Sequence, residues 1–160
     1  MGEPVLIYGK SGSGKSRSLK NFAEDEIYYV NVGDKCLPFR KKFKYTSVSD
    51  NTQLIKAGLQ KMPTKTAVID DAGFILANQF MDEHSKDKRG GDVYKMYDSI
   101  ADNFWGLLKF IKNDLPKDVI VYIIMHEDSD DIGNTKLRTI GKLLDLSLIH
   151  ISEPTRLDVI

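Results

Sequence analysis

The run Val119-Ile120-Val121-Tyr122-Ile123-Ile124-Met125 constrains the fold most, because it is apolar on both of its alternating faces. A strand sends successive side chains to opposite sides, so this one must be covered above and below. That is the position of a central strand in a parallel sheet with helices on each face. Shorter runs precede it at Val5 to Tyr8, Ile27 to Val32 and Thr66 to Ile69. Helical patterns lie between them. Ser16 to Ala23 turns Leu19, Phe22 and Ala23 inward. Asn51 to Met62 gathers Leu54, Ile55, Gly58, Leu59 and Met62 on one side, with Asp50 to cap it and Pro63 beyond its end. Val93 to Leu115 carries the longest stripe, Val93, Met96, Tyr97, Ile100, Ala101, Phe104, Leu108 and Ile111, between a capping Asp92 and a terminating Pro116. Such alternation predicts a three-layer α/β domain with right-handed crossovers, and 160 residues suffice for one core of this kind.

Charge narrows the partners. Lys+Arg and Asp+Glu both number 23, so any attraction to nucleic acid or an anionic membrane must come from a local patch. The single cysteine, Cys36, forms no internal disulfide and suits a reducing compartment. No basic start followed by a long apolar stretch is present, and the expectation is a cytoplasmic chain with no membrane partner.

The sharpest chemical signal is Gly9-Lys10-Ser11-Gly12-Ser13-Gly14-Lys15-Ser16, between an apolar strand and a helix. In GxxxxGK[ST] the glycines reach backbone angles closed to other residues and let N–H groups converge on phosphate oxygens. Gly9, Gly12, Ser13 and Gly14 would form the cradle, Lys15 would bridge the outer phosphates, and the Ser16 hydroxyl would ligate magnesium. A flexible Gly/Ser loop is the plainer reading. Asp70-Asp71 follows a buried strand; Asp70 would hold the magnesium shell and Asp71 would orient and deprotonate an attacking water. Aspartates are also common in solvated turns. Asp71 is one carbon shorter than the glutamate usual in hydrolytic sites, so it must approach closely or act through a second water.

His126 ends the central strand, where a polar side chain can sense the terminal phosphate, although a capping or core role suits a lone histidine equally. His84 and His150 are weaker candidates. Lys35, Arg40, Lys41, Lys42 and Lys44 alternate with Phe39, Phe43 and Tyr45, which reads either as a single-stranded nucleic-acid surface or as a solvated hairpin face. Glu127, Asp128, Asp130 and Asp131 read as a solvated acidic loop.

VLIYGKSGSGKS, TAVIDDAGFI, the long helix before VIVYIIMHED, and KLRTIGKLLD, in this order, resemble the small phage-encoded ATP-binding proteins with a RecA-like or AAA-type P-loop core, over about Gly2 to Asp145. The resemblance implies a three-layer P-loop NTPase fold with sheet order 5-1-4-3-2, placing the His126 strand between the loop strand and the Asp70 strand. It also implies ATP and Mg2+ as ligands and a role in phage DNA recombination, single-strand annealing or replication within a bacterial host. Single-stranded DNA and a single-strand binding protein are the implied partners. Members assemble, and Lys136, Arg138 or Lys142 matches the region that supplies a basic residue to a neighbouring subunit's site.

Residues 146–160 depart from that pattern, since LSLIHISEPTR resembles translated sequencing adapter. The expected division is therefore 1–145 as the ATPase domain and 146–160 as a non-native tail, with the fifth strand lost by truncation. Two other activities stay open. A small-molecule or nucleotide kinase would share the loop, place the two motif strands side by side, and need a lid for which Lys86 to Gly91 is the sole candidate. A non-hydrolysing nucleotide-dependent binding module is the other.

Overall fold

Each apolar run of the sequence forms a strand, and these strands lie parallel. In a computed structural model of the chain, residues 1–86, 93–129, 132–133 and 135–138 are described. Strands β1 (Glu3–Gly9), β2 (Ile27–Asn31), β3 (Tyr45–Val48), β4 (Thr66–Asp70) and β5 (Ile120–Ser129) build a five-stranded parallel sheet. Helices α1 (Lys15–Ser18), α2 (Thr52–Lys61), α3 (Gly73–Lys86) and α4 (Val93–Asp114) connect them, and a short β6 (Thr135–Leu137) pairs antiparallel with the end of β5.

The spatial order is β1-β5-β4-β2-β3. Counted in chain order this is 1-5-4-2-3 rather than the expected 5-1-4-3-2. Two differences account for it. β3, which the sequence reading passed over, adds a strand at the far edge; no strand lies outside β1 among the described residues. β3 runs parallel to β2, so the intervening basic segment is a crossover and not a hairpin. The strand that ends at His126 does lie between β1 and β4.

Alternation along the strands divides the core in two. Leu6, Val30, Ala67, Ile69, Val121, Ile123 and Met125 face α2, α3 and α4, whose Ile55, Leu59, Leu76, Ile100, Phe104 and Ile111 are all buried. Ile7, Ile27, Tyr29, Val68 and Ile124 face the other way. That second face was expected to carry helices as well. Among the described residues it is covered instead by Leu19 and Phe22 of the turn after α1 and by Leu37, Phe39 and Phe43 of the crossover. No helix among the described residues is long and apolar enough to cross a membrane.

Helix ends explain the smaller departures. Asn51, not Asp50, caps α2, its side-chain oxygen accepting from the N–H groups of Gln53 and Leu54 at 2.9 and 3.3 Å; Asp50 accepts from Asn78 instead. The inward face of α2 is consequently Thr52, Ile55 and Leu59, and Leu54 is exposed. Gly58 lets the Tyr28 hydroxyl pack against α2, where a β-carbon would force that side chain to shift. In α4 the stripe is buried from Ile100 onward, whereas Val93 is exposed. Asp92, the charged segment 87–91, Asp130, Asp131, Lys142, His150 and residues 146–160 lie outside the described residues.

Candidate functional site

Parallel register brings the carboxyl ends of the strands to one edge of the sheet. Gly9 pairs with His126 across β1 and β5, and Asn31 pairs with Asp70 across β2 and β4. Loops leaving these ends enclose a cleft of about 380 Å³, lined among others by Gly12, Gly14, Lys15, Ser16, Tyr29, Lys35, Asp70, Asp71 and His126. An open parallel sheet takes its ligands at this edge.

The glycine loop forms the wall at the β1 end. Gly12 and Gly14 have φ of 78° and 91°, in the left-handed region that side chains other than glycine enter only under strain. The Ser13 N–H donates to Lys10 O at 3.1 Å, closing the turn, and Gly14 stands as the N-cap of α1. Positive φ at Gly12 and Gly14, on either side of Ser13, curls the loop so that its backbone amides can converge on an anion. Gly9 abuts it, since a β-carbon there would stand 3.1 Å from the Ser13 hydroxyl. The Lys15 ammonium folds back over the loop and donates to Gly9 O at 2.5 Å and Lys10 O at 2.7 Å, with the Ser13 hydroxyl at 3.3 Å. Burial pushes Lys15 below the usual lysine value, against the attraction of Asp71, Glu127 and Asp70. Its three donors are held by neutral carbonyl and hydroxyl oxygens, which an anion entering the cradle can replace. The helix after the loop is shorter than the sequence pattern implies: α1 covers one turn and Leu19–Asn21 tightens to a 3-10 turn. The Ser18 hydroxyl bonds back to Lys15 O at 2.6 Å, the local competition that weakens serine-rich helices.

Ser16 and Asp70, the pair expected to ligate magnesium, meet across the cleft. The Ser16 hydroxyl donates to Asp70 Oδ1 at 2.9 Å, although 54 residues separate the two. Asp70 Oδ2 accepts from the Tyr29 hydroxyl, also at 2.9 Å. Tyr29 points to the same side of the sheet as Asp70 and is buried. Burial raises the Asp70 carboxyl above its ordinary value; Asp71 nearby adds to this, and the Tyr29 and Ser16 donors oppose it. Burial followed by the Asp70 charge drives the Tyr29 phenol upward too, so it stays protonated and donates to Asp70. Hydroxyl and carboxylate oxygens form a hard donor set suited to magnesium. Among the described residues no group of three or more His, Cys, Asp or Glu could hold an ion.

Asp71 would point to the opposite face if β4 continued. Instead its φ of 56° turns the chain, and Phe74 N and Ile75 N bond back to Asp71 O and Ala72 O to start α3. The turn keeps both aspartates in the cleft. Asp71 Oδ1 lies 3.2 Å from His126 Nε2 and Asp71 Oδ2 lies 2.9 Å from Lys35 Nζ. Gly33 lets the β2 loop pass close by, as a β-carbon there would meet the Phe74 ring at 3.3 Å and Asp71 Oδ2 at 3.6 Å.

Thus the six loop residues, Asp70, Asp71 and His126 converge, as their sequence signals suggest. Tyr29 and Lys35 were missed as site residues. A tyrosine inside an apolar strand reads as core, and only pairing of β2 with β4 reveals its hydroxyl on Asp70. Lys35 was grouped with a basic and aromatic segment whose rings turn out to be packing groups. Phe43 is buried, its ring centroid 5.5 Å from that of Tyr29, and Phe39 lies edge-on to Phe43. Lys41 is tied to the carbonyls of Lys20 and Phe22. Arg40, Lys42 and Lys44 stay exposed, Phe39 and Tyr45 are half-buried, and the Lys44 ammonium lies 5.4 Å from the centre of the Tyr45 ring. His84 packs its ring against Phe80 on α3, away from the cleft. The acidic segment after His126 begins as strand, Glu127 and Asp128 pairing with β6. Arg138 bonds through its N–H to His126 O at 3.0 Å, and its guanidinium is 3.9 Å from Asp128. Compared with known proteins, the chain matches no family model and no curated sequence.

Proposed function

We propose that this chain binds and hydrolyses ATP with magnesium, as a P-loop ATPase of the RecA-like or AAA-type class. The observation that carries this reading is the Ser16–Asp70 hydrogen bond of 2.9 Å, which joins the end of the glycine loop to the end of a separate strand. Nothing in an ordinary solvated turn requires that meeting.

Gly12, Ser13 and Gly14 cradle the phosphates through backbone N–H groups, and Lys15 leaves the loop carbonyls for phosphate oxygens. Ser16 and Asp70 hold magnesium, which supplies charge neutralisation at the phosphates. Asp71 orients a water and takes its proton as the water oxygen bonds to the terminal phosphorus; the bridging P–O bond breaks and its electron pair stays on ADP. His126, between loop and acidic pair, reads whether the terminal phosphate is present.

A small-molecule kinase is less well supported, because β5 lies between β1 and β4 where a kinase of this class sets the two motif strands side by side. A role in phage DNA metabolism, with single-stranded DNA, a single-strand binding protein and a homo-oligomer as partners, rests on the ordered motifs alone. The test is nucleotide binding and phosphate release by the 160-residue chain, with and without Mg2+ and single-stranded DNA. Mg2+-dependent binding and release, lost in Lys15→Met, are expected. Binding without release would leave a non-hydrolysing module, phosphate transfer to a nucleoside would favour the kinase, and no nucleotide binding would refute the assignment.

A further inference from the structure

Lys35 has no part in the nucleotide chemistry set out above, yet three independent contacts fix it in the cleft. Its backbone is clasped by the last residue of β2: the Asn31 side-chain N–H donates to Lys35 O at 2.8 Å, and the Lys35 N–H donates to Asn31 Oδ1 at 3.1 Å. Asp34, with φ of 48°, makes the tight turn that this clasp closes. Its ammonium lies 2.9 Å from Asp71 Oδ2 and 4.6 Å from the centre of the Phe74 ring. A lysine on a merely solvated loop has no reason to be held at both its backbone and its charged end.

Position matters as much as restraint. Lys15 leaves the end of β1 and Lys35 the end of β2, with β5 and β4 between them. Three strand spacings put these two cation-bearing walls about 14 Å apart at their bases. The glycine loop and Lys15 hold a phosphate chain from one side, and Lys35 stands at the opposite side beside the carboxylate that would orient the attacking water. The Lys35 side chain is 55% exposed against 14% for Asp71, so the ion pair is open to solvent on the lysine's side and the ammonium can leave while the carboxylate stays.

We propose that Lys35 is a cis-acting phosphate-sensing cation: it holds Asp71 while no terminal phosphate is present and transfers to that phosphate when ATP binds, freeing Asp71 for water. This inference rests on the ATPase reading and extends it, because the site then obtains its second cation from its own chain and needs none from a neighbour. The ATPase reading sets Asp71 beside the terminal phosphate and Lys35 Nζ lies 2.9 Å from Asp71, so the exchange needs that phosphate and Lys35 would distinguish ATP from ADP. The exchange is one of partners alone, an ammonium–carboxylate contact for an ammonium–phosphate contact, with no proton moved.

The test compares Mg2+-dependent affinity of the full chain for ADP and for the non-hydrolysable β,γ-imido analogue of ATP, in the parent, Lys35→Met and Lys35→Arg. Lys35→Met should lose about fivefold or more in affinity for the analogue, the worth of one charge-assisted phosphate contact less that of the half-exposed ion pair it replaces. ADP affinity should stay within about twofold, and Lys35→Arg should keep most of the preference for the analogue. Turnover per chain should not change with protein concentration, and mixing Lys35→Met with Lys15→Met chains should restore none. Equal losses for both nucleotides, or no loss for either, would overturn the role of Lys35 while leaving the ATPase reading intact. Activity regained on mixing would mean that the lysine acts on a neighbour's site. A parent chain that binds neither nucleotide would overturn both proposals.

Discussion

Asp70 offers the most discriminating single substitution, because burial, hydrogen bonding and the metal ligation proposed for it make different demands. Replacing it with alanine leaves the buried Tyr29 hydroxyl without its acceptor, 2.9 Å away in the parent. An orphaned buried hydroxyl costs about 1–3 kcal/mol. A chain of this size loses about 2–4 °C in Tm per kcal/mol, so Asp70→Ala should melt about 2–12 °C below the parent. Asp70→Asn keeps the volume and two polar atoms; its amide oxygen accepts from one hydroxyl and its NH2 donates to the oxygen of the other. It also removes a desolvated charge, and its Tm at pH 7 should equal or exceed the parent's. The pH dependence follows from the same burial, which raises the Asp70 carboxyl. A group raised on folding contributes stability below its unfolded value and loses it as pH rises through the folded value. The parent should thus lose stability relative to Asp70→Asn on going upward from the ordinary carboxylate range, and the difference between their melting curves isolates this one group. Saturating Mg2+ and ATP, at about a hundred times Kd, should stabilise the parent by about 2.7 kcal/mol and neither variant. Circular dichroism melts at pH 4 to 8, with and without Mg·ATP, test all of this. An Asp70→Asn chain that melts as low as Asp70→Ala, or that gains as much from Mg·ATP as the parent, would refute the reasoning.

Two further substitutions probe the scaffold. Phe104→Ala, at a side chain with no exposed surface in the middle of α4, should cost about 3–5 kcal/mol in urea unfolding, a large share of the stability of any small domain. Asn51→Ala removes the cap of α2 and should cost about 1 kcal/mol in the same assay, whereas Asp50→Ala should cost no more than about 0.5 kcal/mol.

Local chemistry was legible in the sequence where one residue type answers one need. The double-faced apolar run at 119–125 identified β5 and its central place, and the glycines of the loop announced the two positive-φ positions. The meeting of Asp70 with the glycine loop was legible only from the two motifs together, because an aspartate after a strand is by itself common in solvated turns. Pairwise tertiary facts were less accessible. β3 has the burial pattern of an edge strand, partly and fully exposed residues in alternation, so it lacks the apolar density by which a strand is recognised. Asn51 took the cap from Asp50 because the choice between adjacent capping residues is made by the first-turn geometry and by Asn78, which occupies Asp50 from α3. Lys35 and Tyr29 looked like surface and core because the features that give them a role, Asp71 and Asp70, are 36 and 41 residues further along the chain.

The pairing of Gly9 with His126 and of Asn31 with Asp70 carries a consequence for refolding. Sliding β4 by one residue against β5 would send Asp70 through to the helix-covered side and exchange the faces of Ala67, Val68 and Ile69, while preserving strand content. A preparation of such slipped molecules would look native by far-ultraviolet dichroism and yet be inert toward ligand. If the proposed nucleotide binding holds, its stoichiometry reports on strand alignment, and a misthreaded preparation is expected to take up less than one nucleotide per chain.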